Sequence, residues 1–240
     1  MAAFKPFRTW LARRIFPDRE AFRDPPADAA ARRAAWFDFL FVDFGILRLF
    51  WKNRAWVTPR VLRMNQPYPG DIARAARAGI RTIVTARHDP RHGGNALVAE
   101  AAQRHGLTYL TLPLFSRSAP FRQAILDAGL ALKQAEYPLL IHCKSGADRA
   151  GFLSALYLVV AEGRPVREAK GQLSLRHLHI RASRTGVLDT VFETYLKAYP
   201  DESKPFLDWV RDEYDPEAID RNYQAQGIAD FIDRVILRHE

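Results

Sequence analysis

The sequence predicts an α/β fold with a mainly parallel central sheet flanked by helices. Between about Trp56 and Ala198, short apolar runs that suit buried strands alternate with longer segments of helical apolar periodicity. Such alternation is typical of parallel strands joined by helices that cover both faces of the sheet. Ligands of these sheets bind beyond the carboxyl ends of the strands, so the segments that follow strands are the first candidates for function.

The individual elements follow from local patterns. An opening strand is predicted over 61–67, and further strands over 80–85, 107–114 and 138–142. Helices are predicted over 71–78, 94–105, 120–136, 147–161, 164–175 and 186–199. Gly79 and Gly106 stand where two of these helices end, and Ser183 or Thr185 would cap the last one.

The segment Ile141–Gly151 holds the only cysteine of the chain, and Arg149 follows Cys143 by six positions. A short apolar strand precedes this segment and a helix follows it, so a turn joins the strand to a helix N-terminus. The amides of about residues 144–149 can converge there on one anion, helped by the positive end of the helix dipole. The pattern indicates a thiol nucleophile in a phosphate-binding loop.

Each residue type in this loop suits that chemistry. A helix N-terminus and a nearby cation favour the thiolate form of a cysteine, which is the nucleophilic form. The Arg149 guanidinium can bind two phosphate oxygens at once, which a lysine cannot do. Gly146 allows the backbone to come close to a ligand. We expect His142 to shape the loop rather than to transfer protons.

The loop resembles the His-Cys-x-x-Gly-x-x-Arg signature of the cysteine-dependent protein tyrosine phosphatase superfamily, most closely its dual-specificity branch and bacterial relatives. The segment from Val61 to Pro67 is similar to the family's opening Arg-x-x-Gln-Pro strand exit. The resemblance implies hydrolysis of phosphotyrosine or phosphoserine/threonine in proteins through a phosphocysteine, without metal or cofactor. The implied phosphate-binding residues are His142, Lys144, Ser145, Gly146, Ala147, Asp148 and Arg149.

Two positions depart from the family pattern. The residue after the signature arginine is usually Ser or Thr, whose hydroxyl helps the thiolate leave, but here it is Ala150. Hydrolysis of the phosphocysteine is therefore expected to be slower, unless Ser145 supplies the hydroxyl. The family also carries a general acid about thirty residues before the cysteine, whereas 107–120 holds no carboxylate.

The proton donor must then come from elsewhere, since general acid catalysis contributes roughly 10²–10⁴-fold. Asp148 is the first candidate, because some lipid-directed members of the superfamily carry an aspartate at this position. The alternative for Asp148 is a carboxylate that balances the helix dipole. Asp89 is the second candidate, since it follows a strand, and its alternative is a turn former before Pro90.

Further polar residues are candidates for the rim of the substrate site. Ser116 and Arg117 stand where the family's acid loop would be, and Arg181 and Arg184 lie in a basic loop. They would bind a second phosphate or acidic neighbours of the substrate, or they are solvated surface. His177 and His179 are a weak metal-site candidate, because no third ligand has suitable spacing.

The composition of the chain limits the classes of molecule that it is expected to bind. A net charge of +9 and a pI near 9.9 favour phosphorylated or otherwise anionic molecules. A single cysteine excludes an internal disulfide and fits a reducing, cytoplasmic compartment. We find no nucleotide motif or nucleic-acid-binding module, so no nucleic acid partner is expected. The oligomeric state is not predicted.

We divide the chain into a basic arm, 1–34, an aromatic helix, 35–52, and a catalytic domain, 53–240, with a C-terminal helical cap. The arm has eight basic and four acidic residues and lacks the apolar stretch of a signal peptide. The helix is interrupted by Asp38, Asp43 and Arg48, which argues against a membrane span. It either docks on the catalytic domain or lies on an anionic membrane surface, giving peripheral membrane contact through 1–52.

Three alternative functions remain from the sequence. A sulfurtransferase of the rhodanese type also uses a loop cysteine at a helix N-terminus, but the His-Cys start and Arg149 speak against it. A lipid or inositol phosphate phosphatase would use the same chemistry, and the basic arm, the aromatic helix and Lys144 favour it. A weakly active phosphate-binding module is the non-enzyme alternative, motivated by Ala150 and the missing acid.

Overall fold

The computed structural model describes residues 19–89 and 91–224, which form two compact units. The first unit runs to Pro113 and includes Glu136–Gly146. The second comprises Leu114–Ala135 and continues from Ala147. Most of the predicted basic arm and the end of the predicted cap lie outside the described residues. The division into 1–34, 35–52 and 53–240 stays a prediction.

Five strands form one mixed sheet in the order β1-β2-β5-β3-β4. They are β1 (Ala55–Thr58), β2 (Val61–Met64), β3 (Thr82–Arg87), β4 (Thr108–Leu114) and β5 (Leu139–His142). β1 is antiparallel to β2, whereas β2 and β3 both run parallel to β5. The predicted α/β class is confirmed, and the antiparallel β1 makes the sheet mixed.

The position of β5 follows from its composition. All four of its residues are buried, as the apolar run Leu-Leu-Ile before His142 predicts for a strand with neighbours on both sides. His142 pairs with Met64 of β2 and with Thr85 of β3. Cys143 therefore follows the central strand at its carboxyl end, where sheets of this kind bind ligands.

Among its described residues, the first unit contains three α-helices. They are α1 (Ala29–Phe37), α2 (Pro69–Arg77) and α3 (Gly93–Arg104). Helix α1 begins after Asp28, whose side chain accepts a hydrogen bond from the Ala31 amide. The core between the sheet and helices α2 and α3 is formed by Leu62, Met64, Ile72, Ala75, Ile80, Ile83, Val98, Ala101, Ala102 and Leu140.

Further α-helices lie in the described part of the second unit. They are α4 (Arg122–Gln134), α5 (Asp148–Val160), α6 (Val166–Ala169), α7 (Val187–Ala198) and α8 (Phe206–Asp212). Residues 216–224 are also helical. Aromatic rings join helices α7 and α8: Phe192 stacks on Phe206, and Tyr195 contacts Trp209 edge to face.

Two predicted helices are replaced by shorter elements. The predicted helix over 164–175 is α6 followed by short 3₁₀ turns. The predicted aromatic helix over 35–52 consists of the end of α1, a π-helical turn at Asp38–Val42 and a 3₁₀ helix at Gly45–Leu49. Phe44 between the two turns adopts a left-handed conformation, φ 55°, which ends the helical path.

Within the described ranges, we find no helix with the length and apolar character needed to cross a bilayer.

Candidate active site

Cys143 leaves β5 with its side chain inside the protein, where only 1% of its surface is exposed. The amide of Gly146 donates a hydrogen bond to Cys143 Sγ over 3.2 Å. The loop thus curls around the sulfur instead of pointing it at solvent. A backbone donor directed at sulfur stabilises negative charge there, as a thiolate nucleophile requires.

The loop is held by the segment that follows β2. Arg63, which is fully buried, donates from Nη2 to the Gly146 carbonyl over 2.7 Å. The Gln66 amide donates to the Lys144 carbonyl over 3.2 Å. Gly146 has φ +76°, and an added Cβ would lie 2.6 Å from the Asn65 backbone nitrogen. The segment predicted as an Arg-x-x-Gln-Pro strand exit therefore supports the loop.

Lys144 is bound by a carboxylate that the sequence analysis did not assign to the site. Lys144 Nζ lies 3.1 Å from Asp43 Oδ1, and Asp43 also pairs with Arg48 and Arg87. Burial alone would raise the pKa of Asp43, but the bonds and charges of Arg87, Arg48 and Lys144 outweigh it and lower this pKa. Asp43 is thus an anion that holds three cations in place.

The chain passes from Gly146 into the second unit, where helix α5 begins. Ala147 precedes the helix, and Asp148 and Arg149 form its first turn. The first amides of a helix have no partner within the helix, and its dipole is positive at this end. Arg149 Nε is buried, and among the described residues it has no hydrogen-bond partner. This buried donor is available to an anion.

Asp148 belongs to a hydrogen-bonded chain of two carboxylates and one imidazole. His179 Nδ1 lies 2.7 Å from Asp148 Oδ1, and its Nε2 lies 2.5 Å from Asp189 Oδ2. Thr185 Oγ1 also donates to Asp148 Oδ1 over 3.0 Å. Since both ring nitrogens of His179 contact carboxylates, this histidine is not placed as a metal ligand.

The two carboxylates determine the charge of this chain. Burial alone would lower the pKa of His179, but the bonds to Asp148 and Asp189 raise this pKa to about 9. For Asp148, burial would raise the pKa, but the bonds from His179 and Thr185 lower it. At neutral pH we therefore expect a charged imidazolium beside an ionised Asp148. An acid in this position has to be protonated before it can donate.

The second acid candidate forms a local turn. Asp89 Oδ1 accepts hydrogen bonds from the amide and from Nε of Arg91, both over 2.9 Å. Burial would raise the pKa of Asp89, but the bonds from Arg91 lower it. This geometry fits the alternative of a turn former, so Asp148 is kept as the acid candidate.

The predicted rim residues lie in the second unit. Ser116 and Arg117 occupy a bend after β4, with Ser116 half-buried and Arg117 exposed. Arg181 is exposed and forms an ion pair of 2.8 Å with Glu193, and Arg184 is exposed. None of the four has a contact that assigns it to substrate, so their roles stay predictions. Ala150 is fully buried in α5.

Four residues that organise the loop or its acid candidate were not predicted from the sequence: Asp43, Arg63, His179 and Asp189. Arg63 was visible as part of the Arg-x-x-Gln-Pro segment, without a role. Asp43 was noted only as an interruption of an apolar helix, and His179 only as a weak metal ligand. No local pattern signals contacts between residues 101 and 31 positions apart, as for Lys144 with Asp43 and for His179 with Asp148.

Part of this chain is similar to known proteins. Residues 54–161 match the family "Beta-lactamase hydrolase-like protein, phosphatase-like domain". The chain is 34% identical over 125 residues to a beta-lactamase hydrolase-like protein of Xylella fastidiosa (strain Temecula1), covering 50% of this chain but only 28% of the relative. This chain thus spans about a quarter of the length of that relative.

Two further proteins are similar. The protein tyrosine phosphatase PRL-1 of Trypanosoma cruzi is 28% identical over 146 residues, which cover 58% of this chain and 77% of the relative. The crystal structure of human DUSP28 superposes with a TM-score of 0.46 at 19% identity, covering 60% of this chain and 95% of that one. The family match and the two sequence relatives make about half of this chain similar to phosphatase-like proteins.

Proposed function

We propose that this chain hydrolyses phosphomonoesters with Cys143 as the nucleophile. The thiolate forms a bond to phosphorus while the bond from phosphorus to the leaving oxygen breaks, and an acid protonates that oxygen. Water then attacks phosphorus, its proton passes to the conjugate base, and the S–P bond breaks. Inorganic phosphate leaves and the thiolate is restored.

The observation that carries this proposal is the buried Cys143 sulfur with the Gly146 amide directed at it. The buried Arg149 Nε, which follows in the first turn of α5, supports it. We propose that Arg149 and the loop amides bind the phosphoryl oxygens, where charge develops in the transition state. Lys144, held by Asp43, adds a further positive charge to the loop.

For the proton donor we propose Asp148 in its protonated form. The low pKa of Asp148 keeps it ionised near neutral pH, so donation to poor leaving groups is expected to become efficient only as the pH falls. The charged His179 opposes protonation of Asp148 and so sets the pH range in which this acid works. His179 is in this sense a positioning residue.

Hydrolysis of p-nitrophenyl phosphate tests the nucleophile. We expect Cys143→Ser to lower kcat/KM by at least about 1,000-fold and Arg149→Lys by about 100-fold, because the second change removes the planar donor pair. Arg164→Lys, which alters an exposed arginine paired with Glu168, is the matched control and should keep full activity. Phosphate release that persists in Cys143→Ser would rule out the proposed mechanism.

The same experiment distinguishes the non-enzyme alternative. A phosphate-binding module would bind orthovanadate or phosphate in an Arg149-dependent manner but would release no phosphate from substrates. The phosphoprotein substrate predicted from the family resemblance stays a prediction, and phosphopeptides are the direct assay for it.

A further inference from the structure

Eight large apolar side chains between residues 37 and 51 are exposed, and we call them the aromatic surface. They are Phe37, Phe41, Phe44, Ile46, Leu47, Leu49, Phe50 and Trp51. Phe50 is 91% exposed and Leu47 67%, so these side chains have little protein contact. A contiguous segment with this many exposed large apolar residues typically marks an interaction site.

The charged residues of the same segment point inward. Asp38, Asp43 and Arg48 are all buried, with at most 6% of their surfaces exposed. Asp38 accepts the Gly93 amide over 2.8 Å, and Arg48 pairs with Asp43 over 2.7 Å. In the sequence, these three residues argued against a membrane span. Since all three are internal, the exposed side of the segment carries no charge.

Phe44 adds a second, independent observation. Its left-handed backbone, φ 55°, costs a residue with a Cβ about 1–2 kcal/mol. The phenyl ring of Phe44 is 61% exposed, so packing of this ring within the protein does not offset the cost of the backbone conformation. Strain of this kind persists at sites that serve binding.

Charge identifies the occupant. The chain has a net charge of +9, and residues 1–34 before the aromatic surface carry eight basic and four acidic residues. Arg33 precedes and Arg54 follows this segment in the sequence, and both are exposed. The occupant must therefore combine an apolar interior with an anionic exterior. An anionic lipid bilayer has both, with phenyl and indole groups favoured at its interface.

The segment that carries the aromatic surface contacts the cysteine loop within the first unit. Asp43 binds Lys144, and Asn53 Nδ2 donates to the Ser145 carbonyl over 2.9 Å. Asn65 Nδ2 donates to the Trp51 carbonyl over 2.5 Å, and Asn65 lies against Gly146 of the loop. Insertion of the surface into a bilayer would hold the loop at the level of lipid headgroups.

We propose that the aromatic surface docks this protein on an anionic bilayer and that its substrate is a lipid with a terminal phosphomonoester. This inference rests on the proposed function, because it names the substrate class for the Cys143 site. A phosphoprotein is the competing substrate, and a second copy of this chain is the competing occupant of the surface.

Vesicle binding by the full chain tests the docking. Sedimentation with phosphatidylcholine vesicles containing phosphatidylglycerol should capture the wild type, and vesicles of phosphatidylcholine alone should capture much less. Leu47→Asn with Phe50→Asn should weaken binding about 30-fold or more, since two inserted apolar side chains are lost. Leu130→Asn with Leu175→Asn removes two exposed apolar side chains outside the aromatic surface and should bind as the wild type.

Two activity assays separate this inference from the proposed function. The wild type, the Leu47/Phe50 variant and the Leu130/Leu175 variant should hydrolyse p-nitrophenyl phosphate at the same rate, and Cys143→Ser serves as the inactive reference. Hydrolysis of phosphatidylglycerophosphate in vesicles should fall about 30-fold in the Leu47/Phe50 variant alone. A short-chain, water-soluble form of that lipid should be hydrolysed equally by the wild type and both variants.

Several results would overturn the inference. Wild type that does not bind anionic vesicles, or a Leu47/Phe50 variant that binds them equally, would exclude the docking. Rapid turnover of phosphopeptides with none of the lipid would exclude the substrate class. A concentration-dependent dimer that the Leu47/Phe50 variant loses would assign the surface to a second copy. In each case Cys143-dependent hydrolysis of p-nitrophenyl phosphate would leave the proposed function intact.

Discussion

At the residue scale, the protonation state of Asp148 decides which substrates the proposed site can use. Asp148 and Asp189 flank a histidine whose pKa is raised to about 9, so a charged imidazolium lies beside an ionised Asp148 at neutral pH. An aryl phosphate has a good leaving group and needs little protonation, whereas an alkyl phosphate depends on it. The two substrates therefore report on Asp148 differently.

We predict that His179→Gln shifts the alkaline limb of alkyl phosphate hydrolysis to higher pH. Removal of the imidazolium raises the pKa of Asp148, because a stabilising charge is lost while burial still disfavours the anion. More Asp148 is then protonated at a given pH. The measurement is kcat/KM against pH for an alkyl phosphate and for p-nitrophenyl phosphate, with the shift expected in the first only.

Asp148→Asn is the control for this prediction. It should slow alkyl phosphate turnover by roughly 10²-fold or more and aryl phosphate turnover less, and it should abolish the effect of His179→Gln. Equal losses on both leaving groups would contradict the role of Asp148 as the acid.

Ala150 leads to a separate prediction about the second half-reaction. In the family pattern a hydroxyl at this position helps the thiolate leave, and a methyl group cannot. We expect a burst of p-nitrophenol followed by slow turnover in the wild type, since the phosphocysteine accumulates. Ala150→Ser should raise the steady-state rate several-fold without changing the burst rate, as measured by rapid mixing. A steady-state rate unchanged by Ala150→Ser would show that another group serves this step.

The residues of the loop were predictable to different degrees. The spacing of Cys143, Gly146 and Arg149 between an apolar run and a helical segment predicted the strand, the turn and the helix start that the structure contains. His179 could not be predicted as the partner of Asp148, since 31 residues separate them and no periodicity connects the two. The role of Asp43 could not be predicted either, because the sequence does not indicate whether a charged side chain in an apolar segment faces the protein interior or solvent.

At the element scale, the sheet was predictable because each buried strand is a short apolar run bounded by turn residues. The segment 37–51 was not, because apolar residues on all sides do not indicate which face is buried. The structure buries Phe39 and the charged side chains and exposes the other aromatic residues. The left-handed Phe44 then divides what would have been one helix into two turns.

The contact between the loop and the segment after β2 gives a prediction for Gly146→Ala. The added Cβ would lie 2.6 Å from the Asn65 nitrogen and 2.7 Å from the Met64 carbonyl carbon, and both are backbone atoms with little freedom to move. We expect the free energy of unfolding to fall by more than about 2 kcal/mol and activity to be lost. Chemical denaturation and phosphatase assays measure the two effects.

Gly79→Ala is the matched control for that substitution. Gly79 also has positive φ, +88°, but an added Cβ there would have no neighbour within 4 Å. It should cost only about 1 kcal/mol, from the left-handed backbone alone, and leave activity unchanged. Equal costs at the two glycines would mean that the loop relaxes away from Asn65.

At the scale of the whole molecule, several buried charged side chains pair with buried side chains of opposite charge. Asp43 pairs with Arg48 and Arg87, and His179 pairs with Asp148 and Asp189. Removing one partner of such a group leaves the others uncompensated in a medium of low polarity, which costs about 3–5 kcal/mol. The groups therefore make the stability of the fold depend on pH at both ends of the range.

We predict a plateau of stability between about pH 5 and 6.5, with losses on both sides for different reasons. The pKa of Asp43 is lowered on folding, so its contribution is present above its unfolded value, 3.8, and is lost as the pH falls below it. The pKa of His179 is raised to about 9, so its contribution is full below 6.5 and is lost as the pH rises through 9. That alkaline loss should be on the order of 3 kcal/mol, because the pKa of His179 rises from 6.5 to about 9 on folding. Solvent screens this shift little, since the side chain is almost fully buried.

Urea denaturation from pH 4 to pH 10 measures this dependence. His179→Gln should be less stable than the wild type at pH 6, since it leaves Asp148 and Asp189 without the cation between them, yet it should lose little further stability between pH 7 and 9.5. The informative quantity is the slope of the unfolding free energy against pH and not its absolute value. This slope is proportional to the difference in bound protons between the folded and unfolded states. A wild-type slope equal to that of the variant would mean that His179 is neutral in the folded protein, and the charged partner proposed for Asp148 would then be absent.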